Sequence, residues 1–160
     1  AQLGRGRLAH PFERLDLAGD PIPEFGGVAW NAETRTAQPV DLPAFFGGRA
    51  TIADELAEAP PVNAPWILVS HAPPFDSKLD RLPRVPYPIG SRAVRQFIEQ
   101  RRPLVTLHGH IHESPIVTGS YADHVGDSLC VNPGQSHTRL HAVLFDTARP
   151  ADTLRHTVLR

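Results

Sequence analysis

Apolar positions along the chain fall into two unbroken runs, one periodic stretch between them and a series of short segments after them. Trp66 to Ser70, within PWILVSHAPP, is continuously apolar and is stopped by Pro73 and Pro74, which predicts a buried strand running into a loop. Leu104 to His110, LVTLHGH, predicts a second strand of the same kind. Between them, SRAVRQFIEQRRP places Val94, Phe97 and Ile98 on one helical stripe, with Ser91 as the N-cap and Pro103 ending the pattern. A strand, a crossover helix and a strand predict parallel neighbours joined by a right-handed connection. Upstream, TIADELAEAP predicts a short helix: Thr51 caps it, Asp54 completes a capping box, Ile52 and Leu56 share a face, and Pro60 and Pro61 stop it. Residues 1–48 are rich in Gly, Pro and Asp and predict mostly irregular chain, with one brief strand in GGVAW, Gly26 to Trp30. After His112 the pattern shifts to short strands in SPIVTGSY, DSLCVNPG, RLHAVLFD and TLRHTVL, punctuated by Gly119, Gly126 and the Asn132-Pro133-Gly134 turn. The whole predicts an α/β fold ending in an antiparallel β-meander.

Composition narrows the class. The 160 residues suit one domain, and 41% hydrophobic with 21% charged residues is ordinary for a globular chain. A net charge of −1 gives no electrostatic reason to expect a nucleic acid or an anionic membrane as partner. Cys130 is the single cysteine, so no intrachain disulfide forms. No apolar run approaches the ~20 residues of a membrane span, and no signal-peptide pattern opens the chain, so the expected compartment is the cytoplasm. The sequence holds 17 prolines and no methionine, and the missing start residue leads to the expectation that it begins partway through a gene product.

The chemistry concentrates in LHGHIHES, where His108, His110 and His112 occupy alternate positions. On a strand, positions two apart share a face, so His110 and His112 are expected to point into one space. His71 ends the preceding strand, and strand ends in α/β sheets are where ligands collect. Neutral imidazole is the commonest metal-binding side chain, and His71, His110 and His112 are the expected metal ligands. Gly109 permits a turn that takes His108 out of the series, so His108 is expected to support a ligand from behind or to pack. Glu113 and Asn132 are weighed as further supporting or substrate-facing groups. His10, His124, His137, His141 and His156 are expected to be solvated or core histidines. Asp76, Lys78 and Asp80 in the proline-rich loop are weighed as pocket-lining, and Arg81, Arg84 and Arg92 as partners of a phosphate.

GHIH at Gly109 to His112, preceded by SHAPP at His71 and followed by Asn132-Pro133-Gly134, resembles the C-terminal signature of the calcineurin-like metallophosphoesterases. The likeness spans residues 64 to 146. It implies half of a layered α/β/β/α sandwich with a C-terminal antiparallel meander, and two divalent ions, manganese, iron or zinc, acting on a phosphomonoester or phosphodiester. By position in the motif, it implies that His71 and His110 hold one ion and His112 the other. Two such ions held ~3.5–4 Å apart share a bridging hydroxide and offset charge on the phosphoryl oxygens.

The family also carries Asp-x-His, Gly-Asp-x-x-Asp and Gly-Asn-His-Asp segments upstream of these histidines, and none occurs here. The asparagines are Asn31, Asn63 and Asn132, and none precedes a histidine. The chain is therefore expected to be the C-terminal part of a single metallophosphoesterase domain, inactive or nearly so alone, and to self-associate through the face its missing half would cover. A non-catalytic metal-binding or interaction module is the alternative, and the coding sequence upstream of Ala1 discriminates the two. A metallo-β-lactamase-like site fails because His112 and Glu113 stand where that pattern needs Asp and His. A serine hydrolase fails for want of a Gly-x-Ser-x-Gly elbow.

Overall fold

A computed structural model describes residues 15–20, 27–41, 44, 46–136 and 138–159, so that His10, Gly26 and His137 lie outside the described residues. Its contacts divide the chain into two units, Ala1–Glu58 and Ala59–Arg160. In the first, β1 (Gly27–Asn31) and β2 (Thr36–Val40) pair antiparallel, with Val28 opposite Pro39. The Asn31 side chain accepts from the backbone N–H groups of Glu33 and Thr34 and closes the turn. The sequence reading expected only the first of these strands. The second holds Pro39, and proline is tolerated in a two-stranded ribbon, where each strand has a free edge. Helix α1 (Ile52–Ala57) forms as expected, and its capping box is complete: the Thr51 hydroxyl accepts from the Asp54 N–H and the Asp54 carboxylate accepts from the Thr51 N–H. That backbone donor holds the Asp54 carboxyl below the usual carboxylate range. The next two helix N–H groups are taken up by the carbonyls of Leu15 and Asp16.

The second unit is built on a four-stranded mixed sheet of order β3-β4-β6-β5: β3 (Ile67–Val69), β4 (Val105–Leu107), β5 (Ala122–Val125) and β6 (Ser128–Val131). β3, β4 and β6 run parallel and β5 is the antiparallel edge. The α/β class is as expected, but DSLC does not belong to a meander. β6 lies beside β4, the middle of the sheet, and only β5 reverses direction. Helix α2 (Arg92–Arg101) makes the predicted crossover. Ser91 caps it by accepting from the Val94 N–H, and Arg102 ends it in the left-handed conformation. Its stripe of Val94, Phe97 and Ile98 is buried, each side chain adding about 1.5–3 kcal/mol. Phe97 meets Trp66 edge-on at 6.1 Å.

On one face of the sheet, Val105, Leu129 and Val131 form a buried cluster with Leu107, Tyr121, Val143, Phe145 and Leu154 packed against it. Val143 comes from β7 (Leu140–Leu144), which pairs antiparallel with β8 (Arg155–Leu159) around the short helix α4 (Pro150–Thr153). The opposite face carries Thr106 and Cys130, both fully buried. Burial pushes the Cys130 thiol up, which removes its thiolate character.

Two further expectations are corrected. β3 is a sheet edge rather than a buried strand, with Val69 76% exposed. SPIVTGSY is not a strand. Helix α3 (Ser114–Thr118) occupies it, with Pro115 in its first turn, the Thr118 hydroxyl donating to the Ser114 carbonyl and Gly119 closing it at φ 72°. The β-branched run Ile116-Val117-Thr118 suggested a strand, but Pro115 favours a helix start and Gly119 a helix end.

The loop from Pro73 to Gly90 wraps back on α2. Gly90 leaves no room for a side chain: a Cβ there would lie 2.7 Å from the carbonyl oxygens of Pro73 and Pro74. Both are main-chain atoms in a segment held by the Phe75–Ser91 and Ser91–Pro73 hydrogen bonds. Gly90→Ala is expected to cost about 2 kcal/mol, seen as a lower urea midpoint without a change in slope.

A candidate metal site at two strand ends

β4 stops at Leu107, so the histidine series does not continue the strand. The Ile111 N–H donates to the Gly109 carbonyl at 2.7 Å, and His110 between them has φ 62°. The chain turns sharply there, and alternation by twos no longer applies. The consequence separates the three expected ligands. His71 and His110 come together, with ring centroids 5.1 Å apart and planes inclined at 62°. His112 is exposed, and among the described residues no three His, Cys, Asp or Glu side chains are grouped so as to hold a metal. The expected three-imidazole centre is thus a pair. The pairing follows from the parallel register: Val69 lies opposite Leu107, so the residues leaving the two strands are neighbours.

His110 pays for its place with backbone strain. A non-glycine residue in the left-handed region costs on the order of 1 kcal/mol, and such strain persists where surrounding contacts enforce it. Those contacts come from Asn132, 1% exposed on the turn after β6. Its amide donates to the carbonyls of Ile111 at 3.0 Å, Gly109 at 3.3 Å and Leu79 at 3.3 Å, and its oxygen accepts from the Gly134 N–H at 3.0 Å. Since three carbonyls surround the nitrogen, its assignment as the donor is fixed by the network. Gly134, at φ 72°, lets this turn close on the histidine loop, where a Cβ would lie 2.9 Å from the His112 carbonyl oxygen.

His108 is buried and does not face the pair's ligand side. Its Nδ1 lies 2.9 Å from the Ala72 carbonyl oxygen and 3.2 Å from that of Ser70, and its Nε2 lies 2.7 Å from the Thr106 hydroxyl. Both carbonyls only accept, so Nδ1 carries the proton and Nε2 accepts from Thr106. Burial lowers its pKa from 6.5 to about 4, outweighing the two backbone hydrogen bonds that act to raise it. A folded-state value below the unfolded one means that the unfolded chain binds more protons between these two pH values. The stabilising contribution is complete above the unfolded value and is lost as pH falls towards the folded one. Between pH 7.5 and 5 the second unit is expected to lose about 2 kcal/mol from this group. Urea unfolding at the two pH values, followed at Trp66 in a Trp30→Phe background, measures it, and His108→Asn removes this component.

The remaining residues weighed for the site range from buried to exposed. Asp80 is fully buried rather than pocket-lining, with its carboxylate on the N–H groups of Asp76, Ser77 and Gly90. Arg81 is committed to Asp76 at 2.6 Å and Asp80 at 3.4 Å rather than held ready for a phosphate. Lys78 is exposed, and its carbonyl accepts from the hydroxyls of Ser114 and Thr118. Glu113 is exposed at the start of α3, and Arg84, Arg92 and His124 are exposed. His141 and His156 are half-buried, both within hydrogen-bond reach of the Pro133 carbonyl, with Tyr121 stacked on His156 at 4.8 Å. The sequence reading overlooked Thr106. Its position two before His108 on one strand was the available signal.

A resident divalent ion needs about four ligands, whereas the described residues bring two imidazoles together. The pair suits one borderline cation as half of a ligand set and does not by itself make a two-metal centre. The His71 ring lies beside Gly109, where a Cβ would be 3.6 Å from His71 Nδ1, an ordinary van der Waals contact, so the pairing does not depend on glycine there.

No family model and no curated protein matches the chain. One solved crystal structure shares the fold at 23% identity and a TM-score of 0.50, over 66% of this chain and 36% of that one. TT1561 of Thermus thermophilus aligns at 22% identity and a TM-score of 0.41, over 61% of this chain and 36% of its own. The chain therefore spans about a third of the length of either, 36% in both cases. Among the described residues no helix is long and apolar enough to cross a membrane.

Proposed function

We propose that this chain is the imidazole-bearing part of a metal-dependent phosphoesterase, which as a longer protein hydrolyses a phosphomonoester or phosphodiester at a two-metal site. The observation that carries this reading is the His71–His110 pair at adjacent ends of parallel strands, with rings 5.1 Å apart. The left-handed backbone of His110 adds to it, because strain of this kind collects at functional positions. The resemblance of GHIH and Asn132-Pro133-Gly134 supplies the reaction class. Imidazole donors suit manganese, iron or zinc, and such ions when bound supply Lewis acidity toward the phosphoryl oxygens. The missing ligands, a bridging carboxylate above all, belong to the longer protein, so the 160-residue chain binds metal without turnover.

The test is to express the chain with and without its upstream coding region, and to measure bound metal and hydrolysis of a chromogenic phosphodiester. Manganese-dependent turnover in the long form, lost in His110→Ala, supports the reading. Metal bound in both forms with turnover in neither points instead to a metal-binding module. Turnover by the short form alone overturns the division of ligands.

A further inference from the structure

The three strands that meet at the site are joined through one residue. The His108 N–H donates to the Val131 carbonyl of β6, and its Nε2 is held by Thr106 of β4. Its Nδ1 reaches past the end of β3 to the carbonyls of Ser70 and Ala72, the residues on either side of His71. The His71 carbonyl itself accepts from the Gly109 N–H, so the backbone around His71 is tied at three successive carbonyls to the segment that leads into His110. Without the ring, the Ser70 carbonyl would lose this donor and the Ala72 carbonyl would keep the Ser70 hydroxyl, while the backbone that carries the exposed His71 side chain would lose two of these three ties.

We propose that His108 is the positioning residue of the His71–His110 pair: its imidazole spans from Thr106 to the two carbonyls that bracket His71 and so fixes the spacing of the two rings. The function of that spacing rests on the metal reading above, whereas the spacing itself does not. A group that sets ligand geometry from behind typically changes metal affinity by about 10–100-fold when lost.

The test uses the whole chain with zinc as the probe, and three variants. His108→Leu removes both polar contacts. His108→Asn keeps a donor near the Nδ1 position, and Thr106→Val releases Nε2. Zinc affinity by calorimetry is expected to fall about 10–100-fold in His108→Leu and to be largely recovered in His108→Asn. A second readout is independent of metal: the nuclear Overhauser contact between the His71 and His110 rings in the metal-free chain, present in the parent and lost in His108→Leu. If His108→Leu does not fold, Thr106→Val and His108→Asn carry the comparison, with Thr106→Val the weaker binder and the one with the weaker ring contact. Variants that lose stability but keep both the ring contact and the parent's affinity overturn the proposal. Absence of zinc binding in the parent defeats the metal reading alone. The ring contact then decides whether His108 sets the pair.

Discussion

Asp80→Ala is expected to unfold the second unit under conditions where the parent is folded, at a cost of about 4 kcal/mol. The carboxylate has no access to water, and its oxygens accept from the N–H groups of Asp76 at 2.9 Å, Gly90 at 3.0 Å and Ser77 at 3.2 Å, with Arg81 at 3.4 Å. Alanine leaves three main-chain donors inside the loop without that acceptor. It also removes the carboxylate beside Arg81 Nε, which still donates to the Ser77 carbonyl while Asp76 holds the other end. Against the roughly 5–15 kcal/mol that stabilises a whole domain, such a loss lowers the melting temperature by about 15 °C or more. Asp80→Asn keeps one acceptor oxygen and turns an amide nitrogen towards donors it cannot accept from. It is expected to recover less than half of the loss. Calorimetry of the two variants beside the parent checks the order, and an Asp80→Ala protein melting within a few degrees of the parent would mean that the loop is held by something else.

The second large effect is expected at Asn132. Asn132→Ala should cost about 3 kcal/mol, because the carbonyls of Leu79, Gly109 and Ile111 lose the side-chain donor that joins them, although Gly109 and Ile111 keep backbone donors, and the Gly134 N–H loses its acceptor. Asn132→Asp is the informative partner. It has the same shape, but an ionised carboxylate would face three carbonyl oxygens, so at neutral pH it should be no more stable than the alanine variant. Burial and the facing carbonyls raise the pKa of that carboxyl, so as pH falls protonation restores one donor already above the usual carboxylate range, and its stability relative to alanine should rise. Urea unfolding of both variants from about pH 7 to about pH 3 brackets that range and measures the crossing. Curves for the aspartate and alanine variants that stay parallel throughout would show that the amide donor does not hold the loop.

Both residues sit where local pattern in the sequence carries least information. The helix α2 was legible because Ser91, the Val94-Phe97-Ile98 stripe and Pro103 agree with one another. β3 and β4 were legible as apolar runs, and their parallel pairing followed from the helix between them. The place of β6 was not, since its four buried residues read the same whether the neighbour is β4 in parallel or β7 in antiparallel register. α3 was not legible, since the β-branched run Ile116-Val117-Thr118 suits a strand while Pro115 and Gly119 suit the two ends of a helix. Strand-end placement led to the expectation that His71 and His110 are neighbours, and the register brings them together. His112 was assigned by extending the strand beyond Leu107, past a glycine that allowed the chain to turn. Asp80 was weighed as pocket-lining because a lone carboxylate in a proline-rich loop carries no sign of the backbone N–H groups that fold around it.

The left-handed backbone at His110 sets the ring contact with His71 against robustness at one position. Glycine or asparagine tolerates that conformation at less cost than histidine. A library of this chain selected for heat resistance alone would therefore discard His110 early, and its survivors would hold the fold better while giving up the ring that meets His71.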